Sequence, residues 1–92
     1  MPPALAKNKI LLIDDEEQNL NTTRLHLQSD GFDDILTLSD SSQALDLLAD
    51  DPVSVVLLDL QMPKVSGMEL LPEIVKEYPD VPVILVTAKY EI

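Results

Sequence analysis

Apolar residues in this chain fall into short unbroken runs, each closed by an acid, a hydroxyl or turn residues. The first run is Lys9-Ile10-Leu11-Leu12-Ile13-Asp14; Ser54-Val55-Val56-Leu57-Leu58-Asp59 and Val83-Ile84-Leu85-Val86-Thr87 repeat its shape. Continuous rather than alternating apolarity predicts strands buried on both faces, as in a parallel sheet. A weaker run, Ile35 to Leu38, predicts a further strand nearer an edge.

Helical spacing fills the gaps between the runs. Glu17 to Gln28 carries Leu20, Thr23 and Leu27 on one side, and Gly31 stops it. Ser41 to Ala49 starts at a candidate cap and predicts burial of Ala44, Leu45 and Leu48, before Asp50-Asp51-Pro52 breaks the chain. Met68 to Tyr78 places Leu71, Ile74, Val75 and Tyr78 together. Pro72 lacks an N–H and crowds the preceding turn, which predicts a disturbed start to that helix rather than its absence. The order β-α-β-α-β-α-β predicts an α/β fold with a doubly wound parallel sheet. Right-handed crossovers bring the carboxyl ends of its strands to one edge, where such sheets hold their ligands.

Composition narrows the function. At 92 residues and 10.2 kDa the chain makes one small domain at most, and 46% hydrophobic residues suffice for a core. Six Lys and Arg against 17 Asp and Glu give a net charge of −11. Phosphate contacts need clustered cations, so direct nucleic-acid contact is excluded as a function class, and the same repulsion opposes anionic lipid. With no Cys and only His26, neither thiolate nor histidine-based zinc sites are available. Residues 1–8, with Pro2 and Pro3, read as a disordered leader without the apolar core of a signal peptide. No apolar run approaches the length of a membrane span, so a cytoplasmic location is the expectation.

Chemistry concentrates at the strand ends. In a parallel sheet Asp14, Asp15, Asp59 and the Thr87 hydroxyl converge in one crevice. Grouped carboxylates repel unless a cation neutralises them, and hard oxygen ligands suit Mg²⁺. A carboxylate beside such an ion can act as a nucleophile toward a phosphoryl group. Plainer readings stand beside this one. Asp14 to Glu17 also suit a solvated helix start, Asp59 a turn, and Thr87 an ordinary strand residue. Asp33-Asp34 and Asp50-Asp51 read as solvated turns, His26 as a surface or packing residue, and Met62 and Met68 as packing residues.

Three segments, in order and at the right approximate spacing, carry a family likeness. They are Ile10-Leu11-Leu12-Ile13-Asp14-Asp15-Glu16, Leu57-Leu58-Asp59-Leu60-Gln61-Met62-Pro63 with Gly67, and Ile84-Leu85-Val86-Thr87-Ala88. From about Lys9 to its last residue the chain resembles the receiver domain of bacterial two-component response regulators. The resemblance implies a flavodoxin-like receiver fold with strand order 2-1-3-4-5. It implies that Asp59 accepts a phosphoryl group from the histidine of a sensor kinase or phosphotransfer protein. Asp15 and Asp59 would bind Mg²⁺ directly, Asp14 through water, and Gln61 through its backbone carbonyl. Thr87 would be the switch hydroxyl, and Gln61 and Lys89 would tune the lifetime of the phosphoryl group. The chain would then be a signalling phosphoacceptor rather than a turnover enzyme.

The family also uses a Lys at the end of a fifth strand and an aromatic switch residue on it. Lys89 stands too close to Thr87 for the first role, Tyr90 cannot take the second, and the sequence stops at Ile92. A further helix, strand and helix would need roughly 30 more residues. Residues 9–92 are therefore expected to be a receiver domain incomplete at its C-terminus. It would be a fragment, or a homodimer through the fourth-strand edge or swapped elements, with little phosphorylation or switching on its own. Two other classes stay open. A phosphohydrolase with an Asp nucleophile commonly wants a second acid two residues on, where Gln61 stands; a pure assembly module would use the exposed edge. A nucleotide-binding domain is disfavoured because no Gly-rich loop follows the first strand.

Overall fold

The computed structural model describes residues 9–59 and 67–86. They form β1 (Ile10–Ile13), α1 (Glu17–Ser29), β2 (Ile35–Leu38), a 3₁₀ turn (Ser41–Gln43), α2 (Ala44–Asp50), β3 (Val55–Asp59), α3 (Gly67–Glu77) and β4 (Val83–Val86). The strands make one parallel sheet in the order β2-β1-β3-β4. That is the doubly wound α/β architecture the apolar runs predict, with the weak run at an edge. The leader, Gln61, Thr87 and Lys89 lie outside the described residues.

Strand alternation divides the core into two layers. Ile10 and Leu12 face α1, where Leu20 is buried and Leu27, Ile35, Val55 and Leu57 pack around them. Leu11, Ile13, Val56 and Leu58 face the other way, against Ala44 and Leu48 of α2 and Leu70 and Ile74 of α3. Every residue of β1 is buried, because β1 is central and helices cover both its faces. β4 differs: Ile84, Leu85 and Val86 are 53%, 45% and 39% exposed. The run alone predicts burial on both faces, which does not hold; among the described residues β4 is an edge strand, the position the fourth-strand-edge reading expects.

Helix ends show what local chemistry decides. α1 gives way to Gly31, whose positive φ of 100° lets the chain turn back. The Gly31 N–H donates to the Gln28 carbonyl and the Phe32 N–H to the Leu27 carbonyl, both at 3.0 Å. The cap before α2 is Asp40, not Ser41: the Asp40 carboxylate accepts from the Ser42 N–H, while Ser41 is buried. An ionised acceptor outcompetes a hydroxyl for those free amides, and the first turn tightens to 3₁₀. α3 runs through Pro72, which removes the bond its N–H would have made to the Met68 carbonyl. Its buried side is Leu70 and Ile74, with Leu71 and Tyr78 half-buried, whereas Val75 is 50% exposed. Leu70 and Ile74 are four apart and centre the stripe, which leaves Val75 beyond its margin. Asp51 is no free turn acid either, because the Lys9 ammonium bonds it at 2.6 Å.

Candidate phosphoacceptor and metal site

β1 and β3 are neighbours in parallel register, Ile13 opposite Leu58, so the residues that follow leave the sheet together. Asp14 and Asp15 come directly after β1, and Asp59 ends β3. One carboxylate oxygen from each of the three lies within 4.8 Å of the others. Asp59 is 7% exposed, and Asp14 and Asp15 are half-buried. The expected convergence of Asp14, Asp15 and Asp59 is what the fold produces.

Around them the crevice is walled by Leu12 and Leu57 of the sheet, Leu20 and Thr23 of α1, and Val86 at the tip of β4. Apolar walls strengthen electrostatic interactions by excluding water. The Asp14 carboxyl is held above its ordinary value of 3.8, first by burial. The Glu16 N–H opposes this by donating to Asp14 Oδ1 at 3.0 Å, and the charge of Asp59 adds to the upward push. A hydrogen bond from Asn19 pulls the other way.

Asn19 escaped the sequence reading. It lines the crevice from the first turn of α1, and its amide donates to Glu16 Oε1 at 3.0 Å. The signal was present as a polar residue beside buried Leu20, on a helix that starts at the acidic cluster. His26, Asp33 and Asp34 lie exposed and outside the crevice, as expected. The Gln61 carbonyl and the Thr87 hydroxyl fall outside the described residues.

This donor set fits a hard divalent cation. Three carboxylates with no nitrogen or sulfur ligand match the oxygen coordination of Mg²⁺, and closely grouped like charges are what such an ion relieves.

Comparison with known proteins places the architecture. The family model of the response regulator receiver domain matches residues 10–92. The transcriptional regulatory protein CpxR of Escherichia coli K12 is 39% identical over 82 residues, covering 89% of this chain and 34% of CpxR. The chain thus spans about a third of the length of the curated relatives it matches. Among solved structures, response regulator TrrA of Thermotoga maritima in complex with Mg²⁺-BeF superposes with a TM-score of 0.83 at 34% identity. That match covers 89% of this chain and 70% of TrrA. The complex of histidine kinase ThkA with TrrA matches at a TM-score of 0.82 and 33% identity, covering 91% of this chain and 72% of the matched one. No described helix is long and apolar enough to cross a membrane. With the acids at the tips of β1 and β3, the four-stranded order and a family match along nearly the whole sequence, this chain belongs to the receiver domains of two-component response regulators.

Proposed function

We propose that this receiver domain accepts a phosphoryl group on Asp59, in a crevice where Asp14, Asp15 and Asp59 hold Mg²⁺. The observation that carries the proposal is the grouping of three carboxylate oxygens within 4.8 Å at the ends of β1 and β3. Asp59 is the nucleophile because it ends the strand beneath the crevice and is the most buried of the three. A desolvated carboxylate attacks more readily than a hydrated one.

The donor is a phosphohistidine of a sensor kinase or phosphotransfer protein, a reading supported by the likeness to the ThkA–TrrA complex. An Asp59 carboxylate oxygen attacks phosphorus in line while the phosphorus–nitrogen bond breaks, and the electron pair leaves on the imidazole. Bound Mg²⁺ would supply charge neutralisation between the carboxylates and the phosphoryl oxygens; likeness to TrrA with Mg²⁺-BeF supports that assignment. Asp15 would join Asp59 as a direct ligand, and Asp14 would act through water. The Gln61 carbonyl is the further proposed ligand and the Thr87 hydroxyl the proposed switch. The domain makes and hydrolyses its own acyl phosphate and turns over no free substrate.

Mg²⁺-dependent labelling with a small acyl phosphate, read by peptide mass, tests the assignment. Label is expected in low yield, in line with the little phosphorylation expected of this chain on its own, on the peptide carrying Asp59, and is expected to be absent from Asp59→Asn. Equal labelling of both proteins, or label on another residue, overturns it. Turnover of a free phosphate ester would favour the phosphohydrolase reading instead.

A further inference from the structure

Beside the crevice, α1 and β2 border a second hollow of about 320 Å³. It shares Leu20 with the crevice but no polar residue, so the two lie side by side on α1. Glu17, Asn21 and Arg24 recur at helical spacing and form one wall; Thr37 and Ser39, two apart, form the other. Ile35 packs against the layer under α1, and alternation along β2 places Thr37 on that same side.

Arg24 is the one arginine of the sequence, and it is incompletely partnered. Its Nη2 group donates to Asn21 Oδ1, whereas Nε is buried with no partner. Among the described residues no carboxylate pairs with it, although the chain carries 17 acids. A guanidinium offers five N–H donors in a planar fork, and its natural complement is an oxoanion that accepts two of them at once. The Asn21 amide supplies that fork with one oxygen and no charge.

Charge decides which oxoanion fits. A free anion approaches a chain of net charge −11 against repulsion. Glu17, on the same wall, repels a second negative charge and offers an acceptor to an ammonium group. Glu17 and Arg24 stand seven residues apart, about 10 Å along the helix axis. Charges of both signs thus border the hollow, and a molecule with one carboxylate and one ammonium group satisfies both while carrying no net charge. Leu20 is the single apolar residue among those lining it, which suits a short polar body.

We propose that this hollow binds a small α-amino acid, its carboxylate on Arg24 and its ammonium group on Glu17, with Thr37 and Ser39 against the polar body. The site is separate from the chemistry of Asp59 and does not depend on it.

The experiment follows the backbone amides of the nitrogen-labelled protein by NMR while L-serine is added. Parallel arms add 3-hydroxypropanoate, which lacks the ammonium group, ethanolamine, which lacks the carboxylate, and inorganic phosphate. Serine is expected to shift the amides of Asn21, Arg24 and Ser39 saturably. Each half-molecule is expected to bind at least about tenfold more weakly, the scale of one charged hydrogen-bonding contact. Arg24→Gln and Glu17→Gln should each weaken serine by about tenfold, and Glu17→Gln should tighten 3-hydroxypropanoate. Gln18→Ala, exposed and outside the hollow, should bind serine as the wild type does. The same spectra report whether each variant is folded, and for one that is not, the wild-type arms decide alone. No saturable shift with serine overturns the proposal. Phosphate or 3-hydroxypropanoate binding as tightly as serine makes the hollow a plain anion site and overturns it too. Wild-type affinity for serine in both Arg24→Gln and Glu17→Gln puts the ligand elsewhere, with the same consequence.

Discussion

At the scale of single residues, the crevice holds a group in the wrong protonation balance for a stable metal-free protein. Burial and the Asp59 charge raise the Asp14 carboxyl above 3.8, so the folded state binds a proton more tightly than the unfolded chain does. Stability must then fall as pH rises through the interval just above 3.8, since the native state holds more protons there. At neutral pH Asp14 is ionised and the cost is fully present. Asp14→Asn keeps an acceptor for the Glu16 N–H but removes the charge, so it is expected to melt higher than the wild type without metal at pH 7. Each kcal/mol relieved corresponds to about 4–8 °C in a domain of this size. The gap should close as pH falls toward 4; melting curves at both pH values check it, and a gap that widens on acidification would contradict the cause given. The three acids were legible in the sequence because each closes an apolar run. Asn19 was missed, because a polar residue beside buried Leu20 is only a faint signal until its neighbours in space are known.

At the scale of elements, the runs from Ile10 to Ile13 and from Val55 to Asp59 were readable because only a strand covered on both faces is apolar without interruption. Helix faces were read less well. In α3 the stripe runs through Leu70 and Ile74, and assigning Val75 to it missed by about a quarter turn. Ile74 is fully buried against the layer of Val56 and Leu58, whereas Val75 is half exposed. Ile74→Ala is therefore expected to cost about 2–5 kcal/mol, because the cavity it leaves cannot collapse against a rigid sheet. Val75→Ala should stay within about 0.5 kcal/mol. Urea denaturation of the two variants measures both, and similar losses would mean that α3 is rotated about its axis from the orientation described. The cap before α2 was misread for a related reason. Asp40 and Ser41 are both good cap residues, and only the folded turn decides which side chain reaches the free amide.

At the scale of the whole molecule, alternation of element types was enough to fix the fold class, but exposure at the sheet edge was not readable from the run itself. Ile84 to Val86 look like a core strand in composition and are surface in place, because burial depends on what lies beside the strand. Charge shows the same separation of composition from location. The net charge of −11 is spread over the surface, while three of the acids sit within one crevice. These two populations should respond differently to cations. Surface repulsion is screened by any salt, with a Debye length of about 10 Å at 0.1 M, so sodium chloride is expected to raise the melting temperature gradually and without saturation at low concentration. The crevice should respond to Mg²⁺ in a saturable way, since an ion bound only to the folded state adds RT ln(1 + [L]/Kd), about 2.7 kcal/mol at one hundred times Kd. At matched ionic strength Mg²⁺ should therefore stabilise the protein more than Na⁺ does. Asp59→Asn should abolish that excess while leaving the sodium response unchanged, because one charge of the 17 Asp and Glu hardly alters the surface field. Equal stabilisation of both proteins by Mg²⁺ would mean that the ion acts only on the diffuse surface charge and that the crevice holds none.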